Sequence, residues 1–206
     1  MHKIKQPLKR GVSVASPMEA NKEQILVKRL LLKEEAAWKE LFGAYSGSLS
    51  YVCSRYIIGK DDVHDVLQNS FINMFRSIDS FEYRGNGSLK AWITRIVVNE
   101  SLKHIRQYSD FKLVTDDFDI ADISDDEEEP DIEEIPQTVI MEMIRSLPEG
   151  YRTVFNLYVF ENKSHKQIAG LLGIAENSSA SQFHRAKAML VQKIKEYKML
   201  TKAQYE

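Results

Sequence analysis

The sequence predicts an all-α protein of two small helical domains, a bundle followed by a helix-turn-helix domain, joined by a flexible acidic linker. Three observations carry this. Apolar residues recur at steps of three and four along most of the 206 residues, the period of a helix with one buried face. No alternating apolar-polar run of any length competes as a strand. Between Asp110 and Pro136 the period stops: this stretch holds 13 acids against the single base Lys112. Like-charge repulsion keeps such a segment extended. The chain therefore divides into a tail (1–20), a bundle (21–109), a linker (110–136) and a second domain (137–206).

In the bundle, Ile25, Leu26, Arg29 and Leu30 fall on one face of a short first helix. A second helix runs from about Glu34 through Trp38, Leu41, Phe42, Tyr45, Leu49 and Val52 and stops near Gly59. Asp61 then suits the N-cap of a third, because its carboxylate can accept from the free amides of a first turn. There Val63, Val66, Leu67, Ser70, Phe71, Met74, Phe75 and Ile78 form a stripe. After the loop RGNGS, Ser88 can cap a fourth helix bearing Leu89, Trp92, Ile93, Ile96, Val97 and Ile105.

The second domain opens after Pro136 with a helix carrying Val139, Ile140, Met143, Ile144 and Leu147. Pro148, lacking an N–H, suits the first turn of the next, where Val154, Phe155, Leu157, Tyr158 and Phe160 are apolar. Ser164 with Gln167 makes a capping box for a third helix ending at Gly173, and a fourth runs from about Asn177 to Tyr197.

The formal net charge of −2 conceals an asymmetry. Residues 1–109 sum to +6, the linker to −12 and residues 137–206 to +4. Two basic blocks on an acidic tether point to a polyanionic partner. No run approaches the roughly 18 apolar residues of a membrane span. Met1 to Ser16 is basic but lacks the apolar core of a secretory signal. A lone Cys53 cannot make an internal disulfide, which fits a reducing, cytoplasmic setting. Five histidines and one cysteine show no CxxC or HExxH spacing, and GxxxxGK[ST] and GxGxxG are absent. No metal, cofactor, small-molecule substrate or catalytic residue is expected.

The sharpest constellation is SHKQIAGLLGIAENSSASQFHRAKAML, residues 164–190. A helix-turn-helix needs a small residue where its helices cross (Ala169) and, four residues on, one that adopts positive φ (Gly173). It then needs an apolar plug (Ile174) and an N-cap, Asn177 or Ser178. Phe183, Ala186, Leu190 and Ile194 turn inward, leaving Ser178, Ala180, Ser181, Gln182, His184, Arg185 and Lys187 outward or flanking. Such a helix fits the major groove, roughly 12 Å wide, with Gln182 and Arg185 long enough to reach base edges. The competing interpretation is an ordinary helical hairpin with a glycine turn.

Residues 75–107 interleave Phe81, Tyr83 and Trp92 with Arg76, Arg84, Lys90, Arg95, Lys103 and Arg106. Aromatic faces for unpaired bases, with cations along the backbone, are what capture of a single strand requires. Against this, Trp92 and Phe75 suit core positions better than they suit stacking platforms.

On these residues the chain resembles the extracytoplasmic-function sigma factors, small specificity subunits of bacterial RNA polymerase. DDVHDVLQNSFINMFRSIDSF resembles the helix of region two that docks on the polymerase clamp. GSLKAWITRIVVNESLKHIR resembles the part that melts and reads the minus-ten element. LPEGYRTVFNLYVFENKSHKQIAGLLGIAENSSASQFHRAKAML resembles region four, which reads the minus-thirty-five element. The resemblance covers about residues 23–107 and 137–197.

It implies a polymerase contact through Asp62, Asp65, Gln68, Asn69 and Ile72, with Asn69 where an acidic residue is common. It implies minus-ten contacts from Arg76, Phe81, Tyr83, Arg84, Asn86, Ser88, Lys90, Trp92, Arg95, Asn99, Lys103 and Arg106. Upstream contacts fall to Ser164, His165, Asn177, Ser178, Ser179, Ala180, Ser181, Gln182, His184, Arg185 and Lys187. Ser179 stands at a position often held by valine, and Gln182 at one often held by arginine, a change that favours adenine over guanine. The implied partners are core RNA polymerase, promoter DNA as duplex and melted non-template strand, and an anti-sigma factor. A conventional helix-turn-helix regulator of duplex operators would explain residues 164–190 but neither the aromatic-basic segment nor the acidic tether. An interaction module without DNA affinity would leave the basic second domain unexplained.

Overall fold

Eight α-helices and one 3-10 turn make up the described residues of the computed structural model, 17–108 and 132–203, with no strand among them. They are α1 (Pro17–Leu31), α2 (Glu35–Ser54), α3 (Lys60–Ser77), the turn Ile78–Ser80, α4 (Ser88–Tyr108), α5 (Gln137–Arg145), α6 (Glu149–Val159), α7 (His165–Leu172) and α8 (Glu176–Ala203). Most of the expected tail and linker lies outside the described residues. Pro17 already begins α1, and Ile135, at the expected linker's end, is buried.

Leu26, Val27 and Leu30 of α1 are buried against α2, α3 and α4, whereas Ile25 stays exposed, so the inward face of α1 is rotated from the expected one. Leu41, Leu49 and Cys53 of α2, Val66 and Met74 of α3, and Leu89, Ile93 and Val97 of α4 complete the N-terminal core. Ser70 and Ser101 sit inside it without orphaned hydroxyls, each donating to a carbonyl one turn back, Val66 O at 2.7 Å and Val97 O at 2.8 Å.

Helix starts differ from the sequence expectation in three places. α3 begins at Lys60 with Gly59 as N-cap, so Asp61 lies in the first turn and favours the helix through the macrodipole instead. Ser88 is the first residue of α4, and its hydroxyl accepts from Arg84 N–H at 3.3 Å. The cap of α4 comes from another helix: Glu23 accepts from Gly87 N–H at 2.9 Å and from Leu89 N–H at 3.1 Å. α8 starts at Glu176, ahead of the expected Asn177 or Ser178, and extends to Ala203, past Tyr197.

The capping box is present as expected: Ser164 Oγ accepts from Gln167 N–H, and Gln167 Oε1 accepts from Ser164 N–H. Gly173 closes α7 at φ 69, a left-handed conformation that side chains disfavour. α8 crosses α6 and α7, burying Ala186, Leu190, Val191 and Ile194.

The two halves share a core. Val154 and Leu157 of α6 and Ile168 and Leu172 of α7 belong to the same buried cluster as the N-terminal helices. A smaller cluster joins Ile144, Leu147 and Tyr151 to Ala186 and Leu190.

Polar groups seal the junction at the end of α2. A helix leaves its last carbonyls without intrahelical partners, and here side chains of α5 and α6 supply them. Arg145 donates to Ser54 O at 3.2 Å and Ile58 O at 3.1 Å. Arg152 donates to Tyr56 O at 3.2 Å, and Asn156 to Arg55 O at 2.8 Å. Arg55 itself, 6% exposed, pairs with Glu161 at 3.1 Å and lies 4.3 Å over the Phe160 ring. Asn162, at φ 50, turns the chain after α6.

Candidate nucleic-acid interface

α4 presents a polar stripe to the outside. Lys90, Arg95, Asn99, Lys103 and Arg106 are exposed at helical spacing, while Leu89, Ile93, Val97 and Ile105 point into the core. The loop before α4 adds exposed Arg84 and Asn86, with Gly85 at φ 109 and Gly87 at φ 85 shaping it. Exposed Arg76 ends α3, and Arg84 pairs with Glu82 at 3.0 Å.

The aromatics of this segment turn mostly inward. Phe81 is 9% exposed and packs on Trp92, ring centroids 5.0 Å apart. Trp92 and Tyr83 are half-buried against the N-terminal core. Phe81 is therefore a core residue in this arrangement rather than a stacking platform, because the turn Ile78–Ser80 folds it back under α4. Phe75 departs from the core expectation: it is exposed, edge-on to Trp38 at 5.1 Å.

On α3 the residues Asp62, Asp65, Gln68, Asn69 and Ile72 are all exposed and recur at steps of three and four, so they share one face. The first four line a groove of about 390 Å³ with Glu100, Lys103 and His104 of α4. Glu100 is held there by Asn73, whose amide donates to it at 2.9 Å. This face is acidic and amide-rich beside exposed Ile72 and Phe75, a mixed surface suited to a protein partner.

In the helix-turn-helix, Asn177, Ala180, Ser181, His184 and Lys187 are exposed and Ser178 is half-exposed. Gln182 is not on that face. It is 4% exposed, and neither amide atom has a hydrogen-bond partner within the protein. Ser179 is also buried, its hydroxyl 3.0 Å from His165 Nδ1. The expectation that Gln182 points outward is corrected by helical geometry. Residues 179, 182 and 186 stand three and four apart, so Gln182 shares the buried face of Ala186, on the seam with α6 and α7.

His165 is stacked on Tyr158 at 4.7 Å, and Ser164 serves as the α7 cap. Arg185 is half-buried and donates to Tyr151 Oη at 3.2 Å, which anchors its guanidinium beside α6. The outward set is thus narrower than the sequence suggested, and centred on Ser181, His184 and Lys187.

Sequence reasoning missed Glu23, Arg55, Arg152, Asn156 and Glu161, each of which acts across helices distant in sequence. The available signal was Arg152 and Asn156 standing four apart amid the apolar residues of α6. Among the described residues no group of His, Cys, Asp and Glu is arranged to hold a metal, and no helix is long and apolar enough to cross a membrane.

Two family profiles match the chain: Sigma-70 region 2 over residues 41–110 and Sigma-70, region 4 over residues 137–190, together more than half of its length. The chain is an extracytoplasmic-function sigma factor of the sigma-70 family.

Among its relatives, the ECF RNA polymerase sigma-E factor of Haemophilus influenzae is 28% identical over 182 residues, 84% of this chain and 95% of that protein. The sigma-E factor of Escherichia coli K12 is 28% identical over 183 residues, covering 84% and 94%. In structure, CnrH in complex with the cytosolic domain of CnrY matches with a TM-score of 0.45 at 18% identity, covering 84% of this chain and 97% of that one. The sigma factor RpoE with the anti-sigma factor NepR, from Bartonella quintana, matches with a TM-score of 0.46 at 20% identity, covering 76% and 96%. α2 to α4 of this sigma factor thus fall in region two, and α5 to the middle of α8 in region four. Sigma factors are regulatory subunits of RNA polymerase.

Proposed function

We propose that this sigma factor acts by docking on core RNA polymerase through α3 and reading promoter DNA at two places, through α4 and through α8. The observation that carries this is one chain bearing a capped helix-turn-helix and, separately, a helix with an exposed row of cations and amides. Duplex binding alone needs the first and not the second.

The α3 face of Asp62, Asp65, Gln68, Asn69 and Ile72 makes the polymerase contact. The loop residues Arg84 and Asn86 and the α4 stripe of Lys90, Arg95, Asn99, Lys103 and Arg106 hold the minus-ten strand by phosphate and base contacts. Trp92 and Tyr83, half-buried against the core, support this surface from below and are its aromatic groups for an unstacked base. Upstream, Ser181, His184 and Lys187 face the major groove, with Asn177 and Ser178 at the positive end of α8 suited to phosphate. Residues 21–109 and 137–206 are the two reading domains and 110–136 their tether. Linking two weak sites raises the effective concentration of the second once the first is bound.

The protein has no catalytic activity of its own and works in the cytoplasm, where its polymerase is. An anti-sigma factor is a further partner; the similar sigma factor RpoE of Bartonella quintana was solved with the anti-sigma factor NepR.

The test is run-off transcription with purified core polymerase on a promoter library. Promoter-specific transcripts that require the protein are expected. Duplex binding without polymerase association or transcripts would overturn the reading in favour of a conventional regulator.

A further inference from the structure

We propose that Asn86, in the loop before α4, is a self-modifying site: it deamidates through the Gly87 nitrogen, and Glu23 holds that reaction in check. The chemistry stands on the loop alone, and only its consequence rests on the sigma-factor reading.

Asn86–Gly87 is the one Asn-Gly pair in the 206-residue sequence, and Asn86 is exposed. Glycine after asparagine favours this ring closure, because no side chain obstructs the attacking nitrogen or restricts its backbone. Nothing lies within 4 Å of where a Cβ on Gly85 or Gly87 would stand, so water and buffer base reach the loop. The reaction balances with water as the one co-reactant. A base removes the Gly87 amide proton, and the nitrogen bonds to the side-chain carbonyl carbon of Asn86. The tetrahedral adduct expels the side-chain nitrogen as ammonia, leaving a five-membered imide. Water then breaks one of the two C–N bonds of the imide. The product carries aspartate or isoaspartate at position 86, with a new carboxylate.

The fold opposes the first step twice. Residues 85–88 form a turn closed by Ser88 N–H donating to Gly85 O at 3.1 Å. Gly87 is at φ 85, the positive value that a type II turn requires at that position. In such a turn the peptide plane after Asn86 carries its nitrogen away from the Asn86 side chain. Ring closure needs that plane to turn over, which takes the Gly87 N–H off Glu23, its acceptor at 2.9 Å. The same carboxylate, being an anion, disfavours loss of the Gly87 proton, which would set a second negative charge beside it. Its other oxygen accepts from Leu89 N–H at 3.1 Å, so Glu23 is anchored to α4 as well as to the loop. The rate at Asn86 therefore follows how firmly α1 grips α4.

Asn86 stands close to Arg84 in the loop proposed to hold the minus-ten strand. Conversion removes an amide and sets a negative charge where phosphates approach. Isoaspartate also adds a methylene to the backbone, which moves the start of α4 away from Glu23. Neither product reverts by itself, so the factor loses minus-ten binding with age, fastest when α1 loosens.

The experiment follows the full-length protein over days in neutral buffer. Trypsin cuts after Arg84 and Lys90, so residues 85–90 are isolated and their three forms separated by chromatography and mass spectrometry. The parent is expected to modify Asn86 several-fold more slowly than the same chain unfolded in urea. Glu23→Ala is expected to close most of that gap. Asn69 of α3 and Asn177 of α8, each followed by serine, report general unfolding in the same samples and are expected to stay unmodified. A parent as fast as the unfolded chain would overturn the proposal. So would a Glu23→Ala protein that is no faster at Asn86, or one that speeds up equally at Asn69 and Asn177.

In holoenzyme assembled with core polymerase, Asn86→Asp is expected to weaken minus-ten strand binding about fivefold, the effect of one charge near a phosphate. Unchanged binding in that variant would overturn the consequence for the promoter. Absence of polymerase-dependent transcripts from the unmodified parent would count against the sigma-factor reading instead, and leave the chemistry at Asn86 standing.

Discussion

Glu23 of α1 caps α4 by accepting from Leu89 N–H with one carboxylate oxygen and from Gly87 N–H with the other. The first amides of a helix have no intrahelical acceptor, and the positive end of the dipole favours an anion there. One side chain therefore fixes both the start of the proposed minus-ten helix and the loop that precedes it. Glu23→Ala should cost about 1–2 kcal/mol in thermal or urea unfolding, the usual cost of a lost cap. It should also reduce strand opening on a promoter more than upstream duplex binding. Wild-type stability in the variant would show that water replaces the cap without loss.

Gln182 presents the opposite case, a long polar side chain with nothing to bind inside the protein. Burying an unsatisfied amide costs about 1–3 kcal/mol. Gln182→Leu should therefore stabilise the second half by an amount of that order, and leave the preferred bases of the upstream element unchanged. A change in upstream base preference, read from a promoter library, would show that Gln182 reaches DNA.

Gly173 sits at φ 69, where a Cβ is disfavoured by about 1–2 kcal/mol. The space around it is open, so the penalty of Gly173→Ala comes from backbone strain alone. The substitution should destabilise by about 1 kcal/mol and weaken upstream binding, because relaxing the turn changes the angle at which α8 leaves α7. Unchanged melting would mean the turn tolerates the methyl group.

Arg152 donates to three carbonyls, those of Arg145, Leu147 and Tyr56. Its burial pulls its pKa below the ordinary arginine value. Arg152→Met fills similar volume but strands those acceptors, and should cost about 3 kcal/mol in equilibrium unfolding. A neutral result would place the guanidinium's net contribution near zero, its desolvation cancelling its bonds.

Glu161 carries the pH dependence of the junction. Burial pushes its carboxyl above the usual glutamate range, outweighing the opposing attraction of Arg55 and Lys163. The folded chain then binds this proton more tightly than the unfolded chain does. Stability from this group is complete below the ordinary glutamate value and falls as pH rises through the raised one. Acidification from neutrality toward the glutamate range should therefore raise the melting temperature through this group. Glu161→Gln, uncharged throughout, should remove that part of the slope in melting temperature against pH. An identical slope in the variant would show that Glu161 titrates at the same pH in both states.

What the sequence determined by itself is local. Helical period, the Ser164–Gln167 capping box, the positive-φ glycine at 173 and the order of the two domains depend on residues within a few positions of one another. Their spacing fixes which faces are apolar, and hence the helical class and the presence of a helix-turn-helix. The outward cations and amides of α4 and the α3 row were legible for the same reason: each is one face of one helix.

What only the tertiary structure decided lies between helices. Phe81 went to the core because a 3-10 turn folds it under Trp92, and Gln182 went to the seam because α6 and α7 cover the face it shares with Ser179 and Ala186. Glu23 found α4 across 64 positions and Glu161 found Arg55 across 106. An exposed glutamate and a capping one look alike in sequence, because the orphan amides and carbonyls that distinguish them are backbone groups, brought into reach only when the helices pack.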